Sequence, residues 1–258
     1  GFYAILFGIT LLVPVLLALG YGEPELESFL IPSAGSLFMG LSLWAVGGGR
    51  PAELSTRDGF LIVALFWTLL SLLGAWPLVL SAGLDPVDAL FESASGLTTT
   101  GATVITGLDE LPRSLLFYRQ QLQWLGGMGL IVLGVAVLPM LGIGGMQLYR
   151  AETPGPMKDN KLTPRITETA KALWYVYLGL TLACALAYWA AGMTPFDAVG
   201  HSFSTIAIGG FSTHDASMGY FDSTLIEMIA VFFLLASGAN FALHFTAWGG
   251  RTKRPLVY

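Results

Sequence analysis

The segment DPVDALFESASGLTTTGAT at residues 85–103 recurs without a gap as TPFDAVGHSFSTIAIGGFS at residues 194–212. The offset is 109 residues (194 − 85) throughout. The identical positions are Pro86/Pro195, Asp88/Asp197, Ala89/Ala198, Ser93/Ser202, Ser95/Ser204 and Gly101/Gly210. Each copy lies between two long uncharged stretches. A gap-free repeat in the same context predicts one structural unit that the chain uses twice.

Each copy combines a short helix with a segment of small residues. Proline suits the first turn of a helix, and aspartate two residues later favours its positive end, so helices are predicted from Pro86 to about Gly96 and from Pro195 to about Thr205. Such helices of about 16 Å reach halfway through a hydrocarbon core of roughly 30 Å. The residues that follow, 98–103 and 207–212, must return as extended chain. Their unpaired carbonyls are costly at membrane depth unless a cation replaces water, which favours a cation path over a polar loop in a tight helix seam.

The composition places these loops in a membrane. Of the 258 residues, 54% are hydrophobic and 11% charged, whereas soluble domains carry roughly 25% charged residues. This excludes a typical soluble enzyme and a disordered regulator, and 12 Lys and Arg against 17 Asp and Glu exclude a nucleic-acid binder. Uncharged runs long enough to span a bilayer are Gly1–Gly22, Ser28–Gly49, Gly59–Leu84, Gln120–Tyr149, Ala172–Phe196 and Met228–Gly250.

The predicted fold is an all-α polytopic membrane protein with two leading transmembrane helices and two parallel helix–pore loop–helix repeats. The leading helices occupy residues 1–49, the first repeat 50–149 and the second 150–258. With a cytoplasmic N-terminus, 10 of the 12 basic residues fall on the inside and only Arg113 and Arg119 on the outside. The positive-inside rule therefore predicts that both pore loops open outward.

Three motifs resemble the Trk/Ktr/HKT superfamily of potassium transporters. They are the first pore loop at residues 88–103, QWLGGMG at 123–129 and SGANFALH at 237–244. The resemblance implies potassium uptake across the bacterial cytoplasmic membrane through four filter strands that act by their backbone carbonyls. The family's filter positions correspond here to Thr99, Thr100, Gly101, Ile208, Gly209 and Gly210. Ala102 and Phe211 correspond to outer members of the filter.

The same resemblance implies the partners and the cargo. Potassium is the transported ion, and no organic cofactor is expected in this chain. A cytosolic nucleotide-binding regulatory ring of the TrkA type and a homodimer in the lipid bilayer are implied, and nucleic acid is not. The family has four repeats and this chain shows two, so we expect a fragment of a longer protein. The alternative is that two copies assemble to complete one pore.

Several single residues allow two interpretations. For Arg119, snorkelling to the outer interface is favoured over pairing with Glu92 or Asp88 behind the filter. Glu92 and His201 share one repeat position, and bracing of the pore helix is favoured over ion contact. The glycines of residues 126–129 and Gly238 fit gating hinges and close helix packing equally well.

Three other residues have simpler expectations. The lone Cys184 is predicted to be a buried thiol. Asn240 and His244 are one helical turn apart and are predicted to form interhelical hydrogen bonds rather than a metal pair.

Two other functional classes remain as alternatives. An intramembrane serine protease would use Ser95 with a histidine such as His201, but Ser93 stands where rhomboid-type enzymes have the glycine of Gly-x-Ser-Gly. A secondary transporter with alternating access is the second alternative. Such transporters often have inverted repeats, whereas these repeats run parallel. Unitary currents or saturating flux would separate a channel from a carrier.

Overall fold

The computed structural model describes residues 1–46, 56–132 and 166–239. These residues are helical or irregular and include no β-strand. The helices are α1 (Phe2–Thr10), α2 (Leu12–Tyr21), α3 (Leu26–Val46), α4 (Thr56–Ser81), α5 (Pro86–Leu97), α6 (Arg113–Val132), α7 (Ile166–Ala190), α8 (Pro195–Ile206) and α9 (Thr224–Gly238). Short 3-10 turns lie at Leu108–Glu110 and Ser217–Phe221.

Four segments of the described chain are long and apolar enough to cross a membrane. They are Phe2–Tyr21, Leu26–Val46, Val63–Ser81 and Leu173–Ala190. They confirm four of the six predicted spans. The other two predicted spans begin in α6 and α9 and continue into residues outside the described ranges. Asn240 and His244 also lie outside these ranges. The all-helical membrane fold is therefore confirmed.

Two predicted span boundaries are wrong. The fourth span was expected to begin at Gln120, because Arg119 carries a charge, but α6 begins at Arg113 and carries that arginine inside the fold. The fifth was expected to extend to Phe196. Instead α7 ends at Ala190, and Pro195 opens the next helix after a turn. An uncharged run alone cannot separate a span from the pore helix that follows it.

The pore helices α5 and α8 begin and end within one residue of their predicted limits. At the start of α5 the Asp85 carboxylate accepts a hydrogen bond from the Val87 N–H at 2.9 Å. At the start of α8 the Thr194 hydroxyl accepts one from the Asp197 N–H at 3.1 Å. Each cap satisfies a backbone N–H that the first helical turn leaves unpaired. Local sequence signals therefore fix both helices.

Helix α6 lies at the centre of the described fold. The Gln121 amide donates to the Thr10 carbonyl at 2.8 Å, and the Tyr118 hydroxyl to the Gly74 carbonyl of α4 at 2.7 Å. From α7, the Tyr177 hydroxyl donates to the Trp124 carbonyl at 3.0 Å. The Glu23 carboxylate accepts the first N–H groups of α6, at 2.7 and 3.1 Å. Helix α6 therefore joins the leading helices to both repeats.

The adjacent glycines of α6 are sites of close packing. A Cβ on Gly126 would lie 1.8 Å from the Leu97 carbonyl oxygen at the end of α5. A Cβ on Gly127 would lie 3.1 Å from Ala207 Cβ, just after α8. Both pore helices therefore end against α6, and at these two positions packing accounts for the glycines that sequence alone left open between hinge and packing. Cys184 is a buried free thiol, as predicted.

Candidate ion-binding site

The backbone turns after α5 and α8 share three equivalent hydrogen bonds. The N–H groups of Thr98, Thr99 and Thr100 donate to the carbonyls of Ala94, Gly96 and Ser95 at 2.9, 3.0 and 2.9 Å. The N–H groups of Ala207, Ile208 and Gly209 donate to the carbonyls of Phe203, Thr205 and Ser204 at 3.1, 3.1 and 2.8 Å. Each donor and each acceptor of one set lies 109 residues from its counterpart. The two pore loops therefore share one backbone path.

Left-handed backbone recurs at equivalent positions of both loops. Thr99 and Ile208 have φ of 54° and 55°, and Gly101 and Gly210 have φ of 77° and 86°. Glycine adopts such angles freely, but a β-branched residue in this region is strained by about 1–3 kcal/mol. Strain that recurs at equivalent sites of two loops indicates a functional constraint on the backbone, and sequence alone did not predict it.

The backbone carbonyls of the six predicted filter residues are among those in these turns that accept no hydrogen bond from the described residues. No residue in the described ranges donates to the carbonyls of Thr99, Thr100, Gly101, Ile208, Gly209 or Gly210. The expected outer member Ala102 differs, because its carbonyl accepts the Ser95 hydroxyl at 2.6 Å and is held toward α5. Among described residues no group of three His, Cys, Asp or Glu could hold a metal ion.

The six predicted filter residues lie on two adjacent strands. A Cβ on Gly101 would be 2.0 Å from the Gly209 carbonyl oxygen and 3.6 Å from Gly210 Cα. The two strands therefore touch at the level of their glycines. Thr100, Ile208 and Gly210 are exposed. The structure thus brings together residues that are 109 positions apart in the chain.

Glu92 braces the first loop. Its fully buried carboxylate accepts hydrogen bonds from the Thr103 hydroxyl at 2.9 Å and from the Val104 N–H at 3.0 Å. His201 occupies the equivalent position and is also buried. Its imidazole bonds the Asp197 carbonyl and the Ser212 hydroxyl, both at 3.0 Å. Both residues tie a pore helix to the strand that leaves the turn, as the bracing interpretation predicted.

The favoured interpretation of Arg119 as a snorkelling side chain is wrong. Arg119 is fully buried, and its guanidinium pairs with the Glu92 carboxylate at 2.8 Å. It also donates to the Ser212 carbonyl of the second loop at 3.3 Å and lies 4.4 Å from the centre of the Phe211 ring. A buried charge needs a partner, and the pore helix supplies it. Arg119 therefore links the two loops.

Gln123 belongs to the QWLGGMG motif, and it makes a specific contact that the sequence did not predict. The side chain is fully buried on α6, and its Oε1 accepts the Phe211 N–H at 3.0 Å. The signal in the sequence was the run of polar residues at 119–121 and 123 within an otherwise apolar stretch. Polar side chains inside a membrane are costly unless they have partners.

The segments that follow the two pore loops are joined across the repeats. The Asp215 carboxylate accepts the N–H groups of Gly107 and Leu108, each at 3.0 Å. The His214 imidazole bonds the Asp109 carboxylate, and this contact is the main cause that lowers the pKa of Asp109 below its ordinary value. The two repeats are therefore in contact through residues 107–109 and 214–215 as well as through the two pore loops.

For the protease alternative, no histidine of the described residues lies within hydrogen-bond reach of Ser95. The Ser95 hydroxyl donates to the Ala102 carbonyl, and both ring nitrogens of His201 are bonded elsewhere. A serine nucleophile requires its base within hydrogen-bond reach. Ser95 instead positions the backbone after the filter turn.

Residues 28–258 match the family described as TrkH, cation transport protein. The chain is 60% identical to the Trk system potassium uptake protein TrkH of Vibrio parahaemolyticus, over 100% of this chain and 54% of that protein. It is 58% identical to TrkH of Escherichia coli strain K12, over 98% of this chain and 53% of that protein.

Its fold is similar to the crystal structure of the potassium transporter TrkH from Vibrio parahaemolyticus. The TM-score is 0.84 at 56% sequence identity, over 96% of this chain and 50% of that one. The chain therefore spans about half the length of the relatives that it matches.

Proposed function

The chain belongs to the TrkH family of cation transport proteins, and we propose that it serves potassium uptake as half of a pore-forming subunit. In this proposal residues 50–149 and 150–258 each supply one filter strand of four. Thr99, Thr100, Gly101, Ile208, Gly209 and Gly210 bind the ion through their backbone carbonyls. Relatives named as potassium uptake proteins at about 60% identity support the choice of ion.

The observation that carries the proposal is the set of six carbonyls without hydrogen bonds on two equivalent turns. Carbonyl oxygens that accept no hydrogen bond within the chain are free to replace the water shell of a cation, as they do in filters built from backbone carbonyls. Left-handed backbone at alternate residues supports the same conclusion, because such strain persists only where the surroundings impose it. Transport through backbone oxygens needs no catalytic residue and no organic cofactor in this chain.

The pore helices add a favourable field. Both α5 and α8 end immediately before the filter turns, at Leu97 and Ile206. The C-terminal end of a helix carries about half a negative elementary charge. Two such ends beside the filter favour a cation over an anion at the same depth.

We further propose the location, the orientation and the partners of the subunit. It lies in the bacterial inner membrane with its N-terminus in the cytoplasm, because 10 of 12 basic residues then face inward. It works with a cytosolic nucleotide-binding ring of the TrkA type and forms a homodimer. The word "system" in the names of its relatives supports a multi-component assembly.

Growth on low potassium tests the proposed transport. The full-length gene is expressed in a bacterium that lacks its own potassium uptake systems, and growth and rubidium uptake are measured. We expect restored growth and saturable rubidium uptake. The matched control is Ser217→Ala, which changes an exposed residue of the outer loop and should behave as the unmodified protein. Normal membrane abundance without growth or rubidium uptake would overturn the proposal.

A further inference from the structure

The side chain of Gln123 belongs to the first repeat but contacts the filter strand of the second. Besides accepting the Phe211 N–H, the amide lies directly against Gly209. A Cβ added to Gly209 would lie 2.3 Å from Gln123 Cδ. The side chain is fully buried, so water does not compete for the contact.

The geometry of the peptide group makes this contact directional. The Gly210 carbonyl and the Phe211 N–H belong to one planar trans peptide unit, in which C=O and N–H point in opposite directions. Because Gln123 binds the N–H from the side of α6, the Gly210 carbonyl oxygen is turned away from α6. Glycine at φ 86° does not fix the orientation of this peptide by itself, so an external contact must do so.

We propose that Gln123 is a positioning residue that aims the Gly210 carbonyl into the ion path. The first repeat thereby sets the ion preference of the second repeat's filter strand. The inference rests on the proposed function and adds a residue whose side chain does not itself touch the ion. Arg119 supports the same strand one step further out, through the Ser212 carbonyl and the Phe211 ring.

Gln123→Met tests the inference in the full-length protein, because methionine has a similar length and no amide oxygen. Rubidium and sodium uptake are measured at equal membrane abundance in cells without other uptake systems. We expect the Rb⁺/Na⁺ uptake ratio to fall by roughly threefold to tenfold, the range that loss of one hydrogen bond gives to an equilibrium. Loss of general stability would lower total uptake without changing this ratio.

Gln121→Met is the matched control. Gln121 is also buried on α6, but its amide donates to the Thr10 carbonyl of the leading helices, away from the filter. It should leave the ratio unchanged. An unchanged ratio in Gln123→Met would overturn the inference while the proposed function stands. Failure of the unmodified protein to take up rubidium would instead remove the proposed function.

A double-mutant cycle with Gly209 tests the inference independently. Gly209 is not among the positive-φ residues, so alanine fits its backbone and conflicts with the Gln123 side chain. Gly209→Ala should lower the ratio by displacing Gln123. Gly209→Ala combined with Gln123→Ala should therefore lower it no further than Gln123→Ala alone. Additive losses in the double variant would overturn the inference.

Discussion

The two pore loops follow the same backbone path but are held by different chemistry. After α5 the bracing group is the Glu92 carboxylate, which is paired with Arg119. After α8 the residue at the equivalent position is His201, which bonds the Ser212 hydroxyl. Both groups connect a pore helix to the strand that leaves the filter turn. The two turns thus share one geometry, although an ion pair supports the first and an imidazole supports the second.

His201 and Arg119 also differ in the repeats that they contact. Among the described residues, the hydrogen-bond partners of His201 belong to its own repeat, whereas Arg119 bonds Glu92 and Thr103 of the first repeat and Ser212 of the second. Helix α6 thus holds both turns. This asymmetry predicts that damage to the first repeat spreads to the second more than the reverse.

Removal of the buried arginine should have the largest effect. Arg119→Met leaves the Glu92 carboxylate buried without its charge partner, which destabilises a fold by about 3–5 kcal/mol. His201→Leu removes hydrogen bonds between neutral groups, and about 1–3 kcal/mol is expected. Thermal unfolding of the detergent-solubilised full-length protein measures both changes.

The exposed Arg113, whose guanidinium lies 4.7 Å from the Tyr21 ring centre, provides the control. Arg113→Met should cost no more than about 1 kcal/mol. Adding Glu92→Gln to Arg119→Met should recover part of the loss, because the unpaired charge is then gone. Equal destabilisation by Arg119→Met and His201→Leu would contradict the difference between the repeats.

Alanine should destabilise the fold to different extents at the two α6 glycines, because the two pore helices end against them differently. In Gly126→Ala the new Cβ meets the Leu97 backbone at 1.8 Å, and backbone cannot move aside cheaply. In Gly127→Ala the nearest atom is the Tyr177 hydroxyl at 2.8 Å, at the end of a side chain. Overpacking destabilises a fold by about 1–3 kcal/mol. We expect the loss of unfolding free energy to lie at or above the upper end of this range for Gly126→Ala and near the lower end for Gly127→Ala. Unfolding temperatures provide the comparison.

Gly20 is the reference position for this pair, because no described atom lies within 4 Å of an added Cβ there. Gly20→Ala should be neutral or slightly stabilising, since alanine favours a helix. If Gly127→Ala proved more damaging than Gly126→Ala, the two helix ends would be packed differently from this account.

Serine in place of either predicted filter glycine should change the ion preference of the protein. Gly101→Ser and Gly210→Ser both place a side chain in left-handed backbone, at a cost of about 1 kcal/mol. A Cβ on Gly101 would also lie 2.0 Å from the Gly209 oxygen of the facing strand. We expect the Rb⁺/Na⁺ uptake ratio to fall in both variants.

Thr100→Ser provides the control for this comparison, because serine keeps both the hydroxyl and the backbone carbonyl. Its ratio should stay near that of the unmodified protein. A ratio unaffected by Gly101→Ser would mean that the first loop is packing and not filter.

The smallest effect concerns acid stability in the outer loops. Contact with His214 lowers the pKa of Asp109, so the ionised carboxylate stabilises the folded state above the unfolded pKa. This contribution is lost as the pH falls below about 4, where aspartate in an unfolded chain takes up its proton. Asp109→Asn should therefore flatten the decline of unfolding temperature between pH 5 and pH 3. Parallel curves for the two proteins would show that this contact adds no stability.

The sequence predicted the pore helices because their signals are local. Asp85 with Pro86 and Thr194 with Pro195 mark helix starts whatever lies around them. For Arg119 the sequence indicated pairing with Glu92 only as the less favoured interpretation, since Glu92 is 27 positions away and the neighbouring glutamines suggested an aqueous interface. The left-handed Ile208 could not be predicted either, because a β-branched residue disfavours that conformation and only tertiary contacts impose it.

The central claim is that the carbonyls of Thr99–Gly101 and Ile208–Gly210 bind the transported ion. Crystals of the full-length protein grown in rubidium, with anomalous diffraction measured at the rubidium edge, test it most directly. The account predicts an anomalous peak on the pore axis, coordinated by carbonyl oxygens from both strands. Rubidium bound elsewhere in the pore, with these six carbonyls free of any peak, would contradict it.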